Sequence, residues 1–358
     1  MRIAIATDAW FPQVNGVVRT LAATVAELDL RGHEVELITP DRFTTLPLPG
    51  DAGIRVALAP RFGARRMLDA FQPEVVHIST EGPLGWSARG WCLARQVPFT
   101  TAFHTRFPDY AAARIGLSPE PFWSLMRRFH APSRAVLAAT GSLADELAER
   151  GIGPARLWGR GVDQWLFRPH GELHPALRSL PRPLLLSVGR VAPEKNLEAF
   201  LSLDLPGTKV VIGTGPDFER LRARFPDAHF PGAMAGEELA SAYRAADCFV
   251  FPSRTDTFGL VMIEALACGL PVAGFPVAGP LDIVGANGRG PDGAMPATIG
   301  ALDEDLGLAI RRALRLDRQA AAVLGARYTW HRATDQFLAA IQQAAEVRSA
   351  SGKTPEPV

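Results

Sequence analysis

Short β-branched and aromatic runs alternate with helical stretches along nearly the whole chain, and this alternation limits the fold more than any single motif does. Ile3–Thr7 reads as a strand, followed by a helix over Val17–Arg31 with Leu21, Val25 and Leu28 on one face and Gly32 as its stop. Val35–Thr39, Val75–Ser79 and Phe99–Phe103 continue the strands. Ser142 with Asp145 reads as the capping arrangement of a helix that presents Leu143 and Leu147. Between Gly159 and Leu180 the pattern stops in GRGVDQWLFRPHGELHP, a cluster of Gly, Pro and His that marks a domain connection. A second series then runs through strands at Pro183–Val188, Lys209–Gly213 and Cys248–Pro252. One helix carries Leu239, Tyr243 and Ala246; another spans Val261–Cys268 and is stopped by Gly269 and Pro271 before a strand opens at Val272. Such β–α repeats build parallel sheets covered by helices. The expected fold is α/β, with two doubly wound Rossmann-like domains facing a cleft. The domains are residues 1–168, joined by a C-terminal helix at about 331–348, and residues 169–330. Ligands of such sheets sit beyond the carboxyl ends of the strands, so chemistry is expected in the loops that follow them.

Composition removes several classes of function. A chain of 358 residues is long for one core and natural for two domains, and 47% hydrophobic with 21% charged residues is not a disordered composition. A net charge of +1 argues against nucleic acid as a partner. No apolar run approaches the ~20 residues of a membrane span. The opening MRIAIATD reads as a first strand rather than a signal peptide. Cys92, Cys248 and Cys268 are scattered and offer neither a disulfide framework nor a zinc spacing. A soluble cytoplasmic protein is expected. Of the 38 basic residues only Lys195, Lys209 and Lys353 are lysines, so a lysine in a loop after a strand draws attention. Residues 1–170 hold 19 basic and 16 acidic side chains, a small basic surplus on the first domain.

Six loops carry candidate chemistry. DAWFPQVNGVVRT ends in Asn15-Gly16 at a helix N-terminus, where backbone N–H groups favour an anion, although standing alone it reads more readily as an ordinary turn glycine. It lacks the G-x-G-x-x-G pattern of dinucleotide binding. SVGRVAPEKN sets Arg190 and Lys195 at one strand end, as a diphosphate clamp or as solvated charge. PSRTDTFGLVMIEALACGLPVAG is the most specific. Asp256 lies in the loop, Glu264 in the helix, and the amides of Phe258, Gly259 and Leu260 lie at the helix start. Amide donors for phosphate thus stand beside a carboxylate suited to paired sugar hydroxyls; a capping Asp256 and a solvent-facing Glu264 are the plain alternative. GTGPDFER, from Gly213 to Arg220, reads as a tight turn. AFHTRFPDY offers His104, Arg106, Asp109 and Tyr110, and Glu81-Gly82 precedes it in another loop after a strand. No G-x-S-x-G elbow or paired-carboxylate hydrolase pattern is present.

Taken in order, DAWFPQVNGVVRT, EGPLGW, HTRFPDY, RGVD, GRVAPEKN and the Asp256–Glu264 motif resemble the family 4 retaining glycosyltransferases of the GT-B fold, over most of the chain. The nearest flavour is the mannosyltransferase-like, glycolipid-forming branch. The resemblance implies a nucleotide-sugar donor (GDP-mannose or a UDP-sugar) and a lipid or glycan acceptor, with transfer that retains the anomeric configuration and no metal or other cofactor. It implies that Gly16 contacts the donor phosphate or sugar and that Arg190 and Lys195 hold the diphosphate. Glu264 would take the ribose hydroxyls and Asp256 the transferred sugar. The amides of Phe258, Gly259, Leu260 and Val261 would take sugar and phosphates, His104 would sit beside the donor sugar, and Glu81, Arg106 and Asp109 would face the acceptor. It also implies that the C-terminal helix crosses back onto the first domain. Two departures stand out: the family usually has Glu where this chain has Asp256, one methylene shorter, and Gly285 to Met295 is glycine-rich where a more hydrophobic turn and strand are expected. A nucleotide-sugar epimerase of the same fold and a catalytically silent sugar-nucleotide-binding protein are the competing readings. Arg61, Arg65, Arg66, Arg127 and Arg128 suggest contact with an anionic membrane surface, hence a peripheral location on the inner face of the membrane; a solvated basic face accounts for them as well.

Overall fold

A computed structural model describes residues 1–13, 15–48, 51–104, 116, 118–291 and 293–351. The chain divides into two compact units, one of residues 1–160 with 330–358 and one of residues 161–329. In chain order the first holds strands β1 (Arg2–Ala6), β2 (Glu34–Ile38), β3 (Thr45–Leu48), β4 (Asp51–Ala57), β5 (Val75–Ile78), β6 (Phe99–Phe103), β7 (Val136–Ala138) and β8 (Ala155–Leu157). Six of them form one parallel sheet in the order β2-β1-β5-β6-β7-β8, while β3 and β4 make a separate antiparallel hairpin.

The period-two alternation of β1 explains why both faces of this sheet are covered. Ile3 and Ile5 pack with Leu21 and Leu28 of the helix Gly16–Leu30 and with Phe337 and Ile341 of the helix Trp330–Ser351. Ala4 and Ala6 face the other way, toward Leu68 of the helix Arg61–Phe71 and Leu84 of the helix Pro83–Arg95. The last helix is therefore part of this unit's core, and Arg31 ties it further by a 2.7 Å ion pair to Asp335. One helix start differs from expectation. The helix Gly141–Glu149 is capped by Thr140, whose hydroxyl accepts from the Leu143 N–H at 3.2 Å, because Thr140 has the extended backbone of a cap while Ser142 already lies inside the helix.

The second unit is a parallel sheet ordered β11-β10-β9-β12-β13-β14, with β9 (Leu184–Val188), β10 (Thr208–Ile212), β11 (His229–Gly232), β12 (Cys248–Phe251), β13 (Val272–Gly274) and β14 (Gly300–Leu302). Its central strands are apolar on both faces, as a sheet covered on both sides requires. In each unit the chain builds outward on one side, then returns past its first strand to build the other side. The reversal points lie between β1 and β5 and between β9 and β12. Loops leaving adjacent strands diverge there and open a crevice. The glycine-rich stretch Gly285–Met295 forms no strand among its described residues. It folds on itself through bonds such as Gly290 N–H to the Val284 carbonyl at 2.8 Å, and a Cβ on Gly285 (φ +79°) would lie 2.0 Å from the Gly290 carbonyl oxygen. Gly285 therefore allows a tight backbone loop in place of the hydrophobic turn and strand expected from the resemblance.

Candidate functional site

The reversal point of the second unit gathers the residues singled out in its sequence. After β9 the chain passes Gly189 and Arg190 into the short turn Pro193–Lys195, which ends at Asn196 in a left-handed conformation (φ +51°). Asn196 Nδ2 donates to the Pro252 carbonyl at 3.1 Å, joining this loop to the one that leaves β12. Lys195 Nζ then meets Asp256 Oδ1 at 2.5 Å. The side chains of this pair are 28% and 20% exposed, so the charges are half-sheltered yet reachable. The second oxygen, Asp256 Oδ2, is buried without a hydrogen-bond partner among the described residues. Asp256 is thus not the cap of the following helix; that position belongs to Gly259 (φ +89°), where a Cβ would press on Met262 and Phe251 at 2.8 and 2.9 Å. The helix runs over Leu260–Ala267.

Glu264 is buried at 1% exposure, which removes the solvent-facing alternative. Its Oε2 accepts a hydrogen bond at 3.0 Å from the hydroxyl of Tyr243, a fully buried residue of the helix Gly236–Ala245. The Phe258 ring is also buried, edge-on to Tyr328 at 6.2 Å, so only its backbone is available for the role expected of it. Gly213 and Gly215 serve close approach as much as turning. A Cβ on Gly213 would lie 1.8 Å from the Gly189 carbonyl oxygen, and one on Gly215 would lie 2.3 Å from that of Val191. The GTGP loop thereby supports the Arg190 loop through Val191 N–H to Thr214 carbonyl and Asp217 N–H to Val191 carbonyl bonds of 2.9 and 3.0 Å. Gly279 likewise lets a helix press on the Asp256–Phe258 backbone, since a Cβ there would lie 2.9 Å from the Asp256 carbonyl oxygen.

In the first unit the reversal point is organised by Asp8. Its carboxylate accepts from the amides of Leu84 and Gly85 at 2.9 and 3.3 Å and from the Thr80 hydroxyl at 2.8 Å, which caps the helix Pro83–Arg95. Burial pushes this carboxyl above the usual range, against the lowering effect of those bonds. Gly82 is required at the contact, since a Cβ there would lie 2.4 Å from Asp8 Cγ. The amides of Val17 and Val18 are already taken, each donating to Asn15 Oδ1 at 3.0 Å. An anion at Gly16 therefore meets a capped helix start, contrary to the expectation of several open N–H groups.

His104 follows β6 with both ring nitrogens engaged: Nε2 lies 2.9 Å from Ser79 Oγ, and Nδ1 lies 3.1 Å from a guanidinium nitrogen of Arg160. Glu81 Oε1 stands 3.4 Å from Nε2 of His130, a fully buried residue whose Nδ1 lies 2.9 Å from Thr101 Oγ1. Arg106, Asp109 and Tyr110 lie outside the described residues. The structure thus brings Lys195, Asp256 and the start of the Glu264 helix together. Sequence reading missed Arg160, His130, Tyr243 and Asp8. Arg160 and Asp8 left a signal, as the first residues of the RGVD and DAWFPQVNGVVRT motifs. Among the described residues no group of three or more His, Cys, Asp and Glu is arranged to hold a metal ion.

The family model described as Glycosyltransferase Family 4 matches residues 14–165, and that described as Glycosyl transferases group 1 matches residues 182–314. The chain is 31% identical over 316 residues to a GDP-mannose-dependent alpha-mannosyltransferase of Mycobacterium tuberculosis, covering 79% of this chain and 81% of the relative. It is also 31% identical over 375 residues to a sulfoquinovosyl transferase of Arabidopsis thaliana, covering 92% and 72% respectively. Sucrose-phosphate synthase from Thermosynechococcus elongatus shares the fold, with a TM-score of 0.71 at 21% identity over 98% of this chain and 99% of that one.

Proposed function

The chain belongs to glycosyltransferase family 4, and from that premise we propose that it transfers a hexose, with retention, from a nucleotide-diphosphate sugar to a hydroxyl of a lipid or lipid-linked glycan. GDP-mannose is the leading donor, by similarity to the mannosyltransferase relative. The observation that carries the reading is the Lys195–Asp256 pair at the reversal point of the second unit, beside the start of the helix that bears Glu264. A cation and helix-start amides stabilise a departing diphosphate, and the partly exposed Asp256 carboxylate is an acceptor for a sugar hydroxyl. Arg190 adds a second cation, Glu264 takes ribose hydroxyls, and the amides of Phe258 to Val261 take phosphate and sugar. By the family resemblance His104 is assigned to the donor sugar and Gly16 to its phosphate or sugar. Glu81 serves the acceptor, and so, on sequence alone, do Arg106 and Asp109.

The reaction follows as a same-face displacement. The acceptor hydroxyl oxygen bonds to the anomeric carbon as the bond to the diphosphate oxygen breaks, and that leaving oxygen takes the hydroxyl proton. Positioning and charge stabilisation supply the catalysis, without a metal. A lipid acceptor is supported by the helix Arg61–Phe71, where Phe62 is 83% exposed among exposed Arg61, Arg65 and Arg66. Each such arginine contributes about 1 kcal/mol near an anionic surface. No described helix is long and apolar enough to cross a membrane.

Thermal unfolding with a panel of GDP- and UDP-sugars tests the donor, because a ligand of the folded state raises its apparent stability. GDP-mannose is expected to give the largest rise, and product analysis in EDTA is expected to show an α-linked product. No stabilisation by any nucleotide sugar, or an inverted product, defeats the reading.

A further inference from the structure

Among the described residues of the first unit, the least exposed cation points at an imidazole. Arg160 is 7% exposed and belongs to the segment that follows β8. One terminal nitrogen donates to the carbonyls of Trp158 and Gly159 at 2.5 and 3.1 Å, and the other lies 3.1 Å from His104 Nδ1. Its guanidinium also sits 5.1 Å from the centre of the Trp158 ring, which in turn lies 5.5 Å from the His104 ring. Backbone carbonyls, an aromatic face and a ring nitrogen together hold this side chain in one orientation.

We infer that Arg160 fixes His104 as the neutral Nε2–H tautomer, so that this imidazole acts as a hydrogen-bond donor and never as the base of the reaction. A guanidinium carries donors only, so the ring nitrogen facing it must present a lone pair. The proton then sits on Nε2, which donates to Ser79 Oγ at 2.9 Å. A second proton on Nδ1 would set N–H against N–H and place two cations 3.1 Å apart in a sheltered site. Burial first, and then Arg160, hold the ring's pKa well below 6.5. Among the described residues the other titratable group facing it is His77 on β5, itself buried and neutral, with its pKa lowered to about 3. Arg160 is thus a positioning residue that acts through His104.

The assignment deepens the proposed function and rests on it for one point, the placement of His104 beside the donor sugar. There Nε2–H exchanges Ser79 for a sugar oxygen. A ring held in this form does not take the acceptor's proton, in keeping with the proposed transfer of that proton to the leaving phosphate oxygen.

The test is long-range nitrogen–proton correlation NMR of the histidine rings in the full-length, nitrogen-15-labelled protein, with no donor added. The wild type is expected to show the Nε2–H pattern for His104, unchanged from pH 8 to pH 5.5. In Arg160→Met both tautomers are expected, with the ring's titration midpoint moved up. Its pH profile of kcat/KM is then expected to acquire an acid limb that the wild type lacks. Should Arg160→Met not fold, the wild-type spectrum still decides, and Ser79→Ala is expected to keep the Nε2–H pattern with Arg160 in place. An Nδ1–H ring or an imidazolium in the wild type at pH 7 overturns the inference, as does an Arg160→Met protein with unchanged tautomer and titration. A protein that shows the Nε2–H ring but transfers no sugar defeats the proposed function and leaves this assignment standing.

Discussion

Lys195 and Asp256 are 61 residues apart in sequence and meet at 2.5 Å, one in the loop after β9 and the other in the loop after β12. The strand order produces the meeting: β9 and β12 are neighbours although β10 and β11 lie between them in sequence. The shorter reach of Asp relative to the usual Glu does not prevent contact with the lysine. It leaves one carboxylate oxygen bonded and the other buried without a partner among the described residues.

Lys195→Ala is expected to lower kcat/KM by roughly 10²–10³-fold, the scale of losing one charge donor to a developing oxyanion. Folding should hold, because a pair exposed to this degree contributes only about 1 kcal/mol or less. Steady-state kinetics with a thermal melt check both statements, and near-wild-type turnover removes Lys195 from the site.

Tyr243→Phe deletes the hydroxyl that donates to Glu264 Oε2 inside the second unit. Leaving that buried acceptor short of a bond should cost roughly 1–3 kcal/mol in urea unfolding. If Glu264 also binds the donor's ribose, KM for the donor rises several-fold while kcat changes less. A stability loss with an unchanged KM makes Glu264 a structural carboxylate.

Asn15→Ala should cost about 1 kcal/mol of stability, because Asn15 Oδ1 accepts from both Val17 and Val18 N–H groups. Donor affinity should hold, since those amides serve the cap rather than the phosphate. Calorimetric titration separates the two effects, and a large affinity loss would show that the loop binds through Asn15 itself.

His77 gives a pH dependence with a definite sign. Burial lowers its pKa from 6.5 to about 3, and Nδ1 lies 2.9 Å from Thr100 Oγ1. Between those values the unfolded chain binds a proton that the folded chain does not, so stability is full above pH 6.5 and is lost as the pH falls toward 3. Urea midpoints of wild type and His77→Asn between pH 7 and pH 4 are the measurement. The variant should be less stable at pH 7 and should show a shallower acid limb; parallel curves exclude His77 as its source.

Combined replacement of Arg61, Arg65 and Arg66 by Ala and of Phe62 by Ser should abolish flotation with vesicles rich in anionic lipid. The wild type should float with those vesicles and stay behind with neutral ones, because the attraction is electrostatic. Equal flotation of both proteins places the contact elsewhere.

Period and punctuation in the sequence determined the central strands of both parallel sheets, while β3, β4, β7, β8, β11 and β14 went unread. The alternating stretch RIAIA read as the first strand, and the Gly269–Pro271 stop located the end of the Glu264 helix to within a residue. Residue type at short spacing also marked the Asp256–Glu264 stretch, because a loop and the helix it opens are local structure. Local spacing could not locate the cap of the helix Gly141–Glu149, since Ser142 and Thr140 are both competent caps and the choice rests on backbone geometry. It likewise could not supply Arg160 for His104, 56 residues away, or Tyr243 for Glu264, 21 residues away. Those partners were decided by the tertiary structure alone. Strand order and helix packing determine which distant side chains share a dry space, and in such a space a polar group must find its hydrogen bond or lose several kcal/mol.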